Sequence, residues 1–328
     1  MAINNTDLNL QNMGNTGIET LGINLEKIVG VMFAPSSLTF TAANIATDAA
    51  LITALQAAVL AAKTSRIFPL LTADGIVAST DNTAEAAVEE SDYGNMMGVT
   101  YKKHNYTFRI GNNGMYLNQQ LYKYVGNKNL SVFLLDGTGK LLARKSGTGM
   151  KGMPCQLVVD QHKLAGGATA SVQNIKVILT ETDALMDNDK LLVFPFANTV
   201  ELQDLIHGLH DVVLTAGTST QTASAIYLKA LVPASYVDFG TTYKTEIEAD
   251  DASAWLVYDV TAPTTPITVS GVTVVAGEII LASAAAFTSG HSFYVSLNTP
   301  AALAAAATPI GSAATGGFES NVVTIAIP

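Results

Sequence analysis

Three glycines in the stretch SGTGMKGMPC, namely Gly147, Gly149 and Gly152, stand at the spacing G-x-G-x-x-G. This spacing is typical of a dinucleotide-binding loop, which follows a strand and opens a helix whose free N–H groups hold the pyrophosphate. The residues before the glycines do predict a strand. However, Pro154 and the apolar residues after it predict a further strand instead of a helix. We therefore interpret the stretch as a flexible connection between strands and predict no bound cofactor.

Two histidines, His207 and His210, lie three residues apart on a helix that is predicted to begin near Asn198. They are close enough to share a metal ion, but they lack an H-E-x-x-H pattern and a recognisable third ligand. Three aspartates that would suit calcium lack the spacing of an EF-hand and are interpreted as a solvated turn: Asp183, Asp187 and Asp189. We predict no metal site.

The single cysteine, Cys155, excludes an intrachain disulfide and a multi-cysteine zinc site. A cysteine nucleophile also needs a base and a lowered pKa, for which the neighbouring sequence offers no group. The acidic pairs Glu89–Glu90 and Asp250–Asp251 are adjacent in sequence, so their side chains point apart, unlike the carboxylates of a glycosidase. No G-x-S-x-G elbow, zincin helix or P-loop is present. We predict that the protein is not an enzyme and assign it no catalytic residue.

The composition indicates a folded chain with few charges: 48% of the residues are hydrophobic and 13% are charged. In soluble monomers roughly a quarter of the residues are charged. Because this chain has fewer charged residues, we expect a large subunit interface. The net charge of −10 argues against a basic patch that binds nucleic acid. After residue 216, only Lys229 and Lys244 oppose eight acidic residues. We also expect no signal peptide and no membrane-spanning segment.

The hydrophobic pattern predicts two domains of mainly β structure. Residues 1–215 read as a β-sandwich or barrel flanked by about three helices, of which the first begins at Thr47. Within this domain, the acidic segment Thr80–Gly94 is predicted to be a long loop. Residues 216–328 contain seven short apolar runs and are predicted to form an immunoglobulin-like β-sandwich, with Trp255 in its core.

Three stretches of the first domain are similar to structural proteins of tailed bacteriophages that infect Bacteroidetes. They are VEESDYGNMMGVTYKKHNYTF, LYKYVGNKNLSVFLLDGTGKLLARKSG and KVILTETDALMDNDKLLVFPF, within residues 60–215. The resemblance is diffuse along these stretches and includes no motif that specifies a chemistry. It implies a protein of the virion that is assembled in the cytoplasm of the host bacterium.

Within this class, the sequence most resembles a tail tube protein. The resemblance implies stacked hexameric rings with an immunoglobulin-like domain on the outside, and partners that are further copies of the chain and other virion proteins. Genomic DNA would be only a passing or enclosed cargo, and no membrane would be bound. We also predict that the segment Thr80–Gly94 is an arm that contacts the next subunit.

Two alternatives stay open at this point. The chain also fits a major capsid or capsid decoration protein, which would form closed assemblies. A glycan-binding adhesin module would instead use aromatic side chains of the second domain as a stacking platform. The candidates for that platform are Trp255, Tyr236, Tyr243 and Tyr258.

Overall fold

A computed structural model gives the fold of the chain. It describes residues 27–71, 76–90, 92, 96–111, 115–161, 163, 172–185, 190–197, 201–249, 253–283 and 285–328. The structure is mostly β, with several sheets, as the sequence predicts.

The first part of the chain contains thirteen described strands, three described α-helices and a 3-10 turn at Lys63–Ser65. The strands are β1 (Ile28–Pro35), β2 (Thr39–Phe40), β3 (Phe68–Leu70), β4 (Ile76–Asp81), β5 (Ala87–Glu90), β6 (Met96–Thr100), β7 (Asn105–Gly111), β8 (Leu130–Asp136), β9 (Lys140–Ser146), β10 (Gly149–Lys151), β11 (Met153–Val159), β12 (Val172–Leu179) and β13 (Leu191–Pro195). The helices are α1 (Asp48–Val59), α2 (Met115–Tyr122) and α3 (Leu202–Leu205).

Strand β8 is the centre of the large sheet, whose order is β2-β10-β9-β8-β11-β12-β7-β4. β1 pairs with β8 and β3, and β13 pairs with β9. All seven residues of β8 are buried because both faces of the strand are covered by hydrophobic clusters.

The side chains of β8 alternate between these two clusters. Leu130, Val132 and Leu134 point into the first cluster. Phe133 and Leu135 point into a second cluster on the opposite face, which explains the continuous apolar run LSVFLLD.

The sheet curls around the first of these clusters. The hydroxyl of Ser79 in β4 donates a hydrogen bond to the carbonyl of Ile28 at the start of β1. The last strand in the sheet order therefore returns to β1, and the strands form a half-barrel.

Helix α1 packs on the second cluster and begins where the sequence predicts. The hydroxyl of Thr47 accepts a hydrogen bond from the backbone N–H of Ala50 at 3.2 Å, which caps the helix. Leu51, Leu55 and Val59 form its buried face.

The prediction of a long third helix is wrong. α3 ends at Leu205, and residues 209–216 form a strand, β14 (Leu209–Ala216). The spacing of the apolar residues fits both structures, but only a strand explains why Val212 and Leu214 are buried while Val213 between them is 40% exposed. Residues 209–216 form a strand because they pair with two strands later in the chain. The domain boundary predicted at 215–216 lies at the end of β14.

The second part of the chain contains two sheets that share one hydrophobic cluster. Besides β14, its strands are β15 (Ala225–Val232), β16 (Val237–Asp238), β17 (Trp255–Asp259), β18 (Val269–Val275), β19 (Glu278–Ser283), β20 (Ser292–Leu297), β21 (Gly317–Ser320) and β22 (Val323–Ala326). The helices are α4 (Phe239–Thr242), α5 (Lys244–Ala249) and α6 (Pro300–Ala304).

One sheet has the order β18-β19-β15-β14-β21, with β16 beside β15, and the other has the order β17-β20-β22. The chain moves from the first sheet to the second at Asn321. The side-chain oxygen of Asn321 accepts a hydrogen bond from the Leu214 N–H at 2.6 Å, and its amide donates to the Leu214 carbonyl at 3.1 Å. This side chain therefore satisfies the backbone of β14 where β21 leaves it.

The carboxylate of Glu278 fixes the loop that follows β14. It is 8% exposed and accepts hydrogen bonds from the hydroxyls of Thr218 and Ser219, both at 2.5 Å. The backbone N–H of Ser219 donates to it as well, at 3.2 Å. These hydrogen bonds lower the pKa of Glu278 to about 2, and those from the two hydroxyls contribute most.

We expect Glu278→Gln to lower the melting temperature at pH 7, because an amide accepts fewer hydrogen bonds than a carboxylate. The pKa is lowered on folding, so the stabilisation is complete above the unfolded value of about 4.5 and is lost as the pH falls towards 2. The difference in melting temperature between the two proteins should therefore shrink over that range. Glu85→Gln, at an exposed position, is the control and should give no such pH-dependent difference.

Candidate functional site

The glycines of SGTGMKGMPC lie where strands pack closely. Gly147 has φ +58° in the turn between β9 and β10. A Cβ atom at Gly149 would lie 2.0 Å from the carbonyl oxygen of Phe40 in β2, and one at Gly152 would lie 2.4 Å from Oγ of Ser131 in β8. All residues of the stretch are described and no helix begins among them. The spacing therefore serves strand packing. The prediction of a flexible connection is wrong, because Gly149–Lys151 form the buried strand β10 between the end of β9 and the start of β11.

The residues considered above for a metal site do not form one in the described part of the chain. His207 and His210 do not share a helix face, because no helix continues there. The backbone N–H of His207 donates to the Ala313 carbonyl at 2.7 Å, and the ring of His210 packs on Phe318 with 5.6 Å between centroids. Asp183 forms an ion pair with Lys190 at 2.6 Å. Asp187 and Asp189 lie outside the described residues, and the part of the chain that is described holds no group of three metal-binding side chains.

Cys155 is inert as a nucleophile. Its side chain lies in the core of the half-barrel and is 1% exposed. Burial raises the pKa of the thiol to about 12, so the thiolate that nucleophilic attack requires is not formed at neutral pH.

A cavity of about 260 Å³ opens between β1, β4 and β7. Its polar lining consists of Lys27, Ser79, Asp81 and Tyr106. Burial, together with the nearby carboxylate of Asp81, raises the pKa of Tyr106 to about 12. Ser79 binds the Ile28 carbonyl, and Asp81 accepts hydrogen bonds from Thr83. Ser79 therefore joins β4 to β1, and Asp81 stabilises the turn that follows β4.

Of the aromatic residues predicted to form a platform, two are used in the core. Trp255 is 3% exposed, and Tyr243 packs against Phe239 and Phe318. Tyr236 is 84% exposed in the turn before β16. Tyr258 lies in β17, which belongs to the sheet β17-β20-β22 and not to the sheet that contains β16. Core packing accounts for Trp255 and Tyr243, so these two rings are not available for stacking on a sugar.

The strands β5 and β6 form an exposed hairpin in the first part. Its register pairs Ala87 with Thr100 and Val88 with Val99. The prediction of a long loop at Thr80–Gly94 is therefore wrong, because β4 extends to Asp81 and β5 pairs with β6. We call residues 84–103 the arm.

The arm buries no described side chain in a core. Val88, Val99 and Tyr101 are 51%, 37% and 53% exposed, and none of the arm's described side chains belongs to the three hydrophobic clusters. A two-stranded hairpin without such packing is marginally stable in water. Exposed apolar side chains on it are a surface that a partner would cover.

The base of the arm is anchored to β7. The side-chain amide of Asn82 donates to the hydroxyl of Thr107 at 2.7 Å, and the backbone N–H of Asn105 donates to the hydroxyl of Thr83 at 3.1 Å. The backbone N–H of Asn82 also donates to the Asn105 carbonyl at 2.7 Å. The arm therefore follows directly on the paired ends of β4 and β7.

Polar contacts that involve two neighbouring carboxylates join the first part of the chain to the second. Arg66, which is 3% exposed, donates to the carboxylate of Glu319 at 2.8 and 3.4 Å and to the carbonyl of Ala61 at 2.8 Å. Burial raises the pKa of Glu319, but the hydrogen bonds and the charge of Arg66 outweigh it and hold the pKa below its usual value. Tyr116 of α2 donates to Asp211, which is opposite Glu319 in the parallel β14–β21 pair. Each of these adjacent carboxylates therefore has its own donor.

No model of a known protein family matches the chain, and no curated protein matches it either. Among the described residues, no helix has both the length and the apolar character needed to cross a membrane.

Proposed function

We propose that the chain is a structural subunit of a bacteriophage virion, namely a tail tube protein that assembles into stacked hexameric rings. The observation that supports this proposal most directly is the arm. It carries exposed Val88, Val99 and Tyr101 on a hairpin that has no core of its own. A surface on one copy that fits a different surface on the next copy produces rings or open-ended stacks.

The second part of the chain supports an immunoglobulin-like domain that decorates the assembly. If β14, β15, β17, β18, β19, β20 and β22 are labelled A to G, the two sheets have the orders DEBA and CFG. These are the strand orders of a constant-type immunoglobulin domain. Trp255 is buried on the strand that corresponds to C, as in that fold. The disulfide of antibody domains is missing because the chain has one cysteine.

The charge of the chain suits the same function. A tube through which DNA moves must not bind the phosphates at each step, and a net charge of −10 disfavours such binding. DNA is therefore proposed as a passing cargo, and other copies of the chain and other virion proteins are proposed as partners.

Removing the apolar side chains of the arm should abolish assembly without unfolding the subunit. We expect the native chain at high concentration to form open tubes or six-fold rings in negative-stain electron microscopy. The variant V88S/V99S/Y101S should remain small in size-exclusion chromatography and keep its circular dichroism spectrum. The matched control is Tyr236→Ser, which removes an exposed aromatic ring outside the arm and should leave assembly intact.

Other outcomes would contradict the proposal in different ways. Closed shells would assign the chain to the capsid. A native chain that stays monomeric at high concentration would exclude both structural functions. Tubes that form equally well from the triple variant would show that the arm is not the assembly element.

A further inference from the structure

Two carboxylates lie side by side on the second part of the chain and face the first part. The register of β14 and β21 places Asp211 opposite Glu319, so the two side chains are on the same face of the sheet. Arg66 donates hydrogen bonds to Glu319, and Tyr116 donates one to Asp211. Both carboxylates therefore have partners in the first part, and Arg66 and Glu319 are 253 residues apart in the sequence.

The backbone around Glu319 packs closely against the end of α1. A Cβ atom at Gly317 would lie 3.2 Å from Cδ2 of Leu60, the residue that follows α1. The backbone N–H of His207 donates to the carbonyl of Ala313 at 2.7 Å. Ala313 is buried in the same hydrophobic cluster as α1. The strand β21 and the loop before it therefore rest on the first part of the chain.

Four charged or titratable groups surround the carboxylate of Glu319. Arg66 is 3% exposed and lies 2.8 Å from it, and Lys63 is 69% exposed and lies 3.4 Å from it. Asp211 is its neighbour in the sheet. Tyr124 is the fourth, and burial raises its pKa, with Arg66 opposing the increase and Asp211 and Glu319 adding to it. Tyr124 is therefore a neutral phenol at neutral and acidic pH.

The groups around Asp211 do not oppose the charge of Arg66. Burial, the hydrogen bond to Asp211 and the charge of Asp211 raise the pKa of Tyr116, which stays a neutral donor. His210 pairs with Phe318, and its ring packs on that residue on the opposite face of the sheet. Glu319 is thus the carboxylate that is paired with the buried cation.

The buried guanidinium makes this contact sensitive to acid. Arg66 stays charged at every pH at which the protein is folded. When Glu319 binds a proton, the charge of Arg66 is left buried without a counter-charge, which is strongly destabilising. Lys63 cannot replace Glu319 because it is itself a cation. Movement of β21 away from the end of α1 would let water reach the guanidinium.

The sign of the pH dependence follows from the environment of Glu319. Burial raises its pKa, but the hydrogen bonds and the charge of Arg66 outweigh burial and hold the pKa below 4.5. The stabilisation is therefore complete above about 4.5 and is lost as the pH falls through the lower value of the folded protein. Within the second part, hydrogen bonds lower the pKa values of Glu278 and Asp259 to about 2. Moderate acid therefore weakens the contact of Glu319 while these two carboxylates keep their charge.

We propose that Arg66 and Glu319 form an acid-sensitive latch between the two parts of the chain. At neutral pH the latch holds β21 against the end of α1 and fixes the orientation of the second part. When Glu319 is protonated, β21 and the loop before it separate from the first part, and the guanidinium of Arg66 becomes hydrated. The latch acts within one chain and requires no assembly.

Amide hydrogen exchange of the full chain, followed by NMR, measures the opening of the latch. The reporter is the N–H of His207, whose hydrogen bond to Ala313 joins the two parts. The internal reference is the N–H of Ile267, which donates to the carbonyl of Val257 at 2.7 Å inside the second part. Between pH 7 and pH 3, the protection factor of His207 should fall more than about tenfold relative to that of Ile267.

Two variants separate the latch from general effects of acid. R66M/E319L replaces the ion pair with apolar groups, so the protection of His207 should be the same at pH 3 and pH 7. Glu319→Gln removes the charge and keeps the shape of the side chain. It should lower the protection of His207 at pH 7 about as much as acid lowers it in the native chain.

Three results would overturn the latch. Equal loss of protection at His207 and Ile267 in acid would mean that the second part unfolds as a whole. A loss in R66M/E319L as large as that in the native chain would show that a different group responds to acid. Full protection of His207 in Glu319→Gln at pH 7 would show that the charge of Glu319 does not hold the two parts together.

Discussion

Replacing Glu319 with alanine should lower the free energy of unfolding by about 3–5 kcal/mol, because it leaves the guanidinium of Arg66 buried without its counter-charge. Arg66 is 3% exposed, and its hydrogen bond to the Ala61 carbonyl does not neutralise its charge. Urea unfolding followed by circular dichroism measures the change. The reverse substitution, Arg66→Ala, should cost less, because Glu319 is 24% exposed and stays within 3.4 Å of Lys63.

Two controls separate the charge effect from lost packing. Lys63→Ala removes a side chain that is 69% exposed and should cost at most about 1 kcal/mol. The double variant R66M/E319L replaces the ion pair with apolar groups and should recover most of the stability, since a buried ion pair is often no better than a hydrophobic pair. If Glu319→Ala cost no more than Lys63→Ala, the contact would contribute little to joining the two parts of the chain.

Gly149→Ala should destabilise the protein by about 3 kcal/mol, at the upper end of the usual cost of overpacking. The added Cβ would meet the Phe40 carbonyl oxygen at 2.0 Å, and this atom belongs to the backbone of β2 and cannot rotate away. The strands β2 and β10 must separate to admit the methyl group. Urea unfolding again gives the measurement.

Gly271→Ala is the matched control in a strand of the second part. A Cβ at Gly271 has no neighbour within 4 Å, and its φ is not in the left-handed region. This substitution should be neutral or stabilising by up to about 1 kcal/mol, since alanine restricts the unfolded chain. Equal costs at the two glycines would mean that close approach of β2 does not explain Gly149.

Local signals in the sequence predict many elements correctly. The cap at Thr47, the apolar face of α1 and the short strands of the second part follow from capping chemistry and from periods of 3.6 and 2 residues. Trp255 is in the core as expected. These features depend on residues that are close in sequence, so one sequence suffices to find them.

Pairing between strands accounts for the errors. The apolar residues from Leu202 to Val213 fit a helix by spacing, but β14 is determined by β21, which lies far along the chain and is not visible in the local pattern. Thr80–Gly94 looks like a loop by composition, because acidic residues are rare in strands. There the strand β5 is held by β6, which follows it directly in the sequence.

The candidate site is predictable only in part. The acidic character of the arm is evident from the sequence, and it led to the prediction of a contact with another subunit. The anchoring of the arm is not evident, because Asn82 and Thr107 lie 25 residues apart in the sequence and meet only through the register of β4 and β7.

The parallel pairing of β14 with β21 has a consequence for how the chain folds during synthesis. Every strand of the large sheet lies before residue 196, so the half-barrel has all its strands early. The second part remains incomplete until Gly317–Ala326 has left the ribosome, because β21 and β22 belong to different sheets and Glu319 closes the contact with Arg66. The nascent chain therefore displays its arm before the second part is in place. Under the proposed function, this order of folding exposes the chain to early self-association on neighbouring ribosomes.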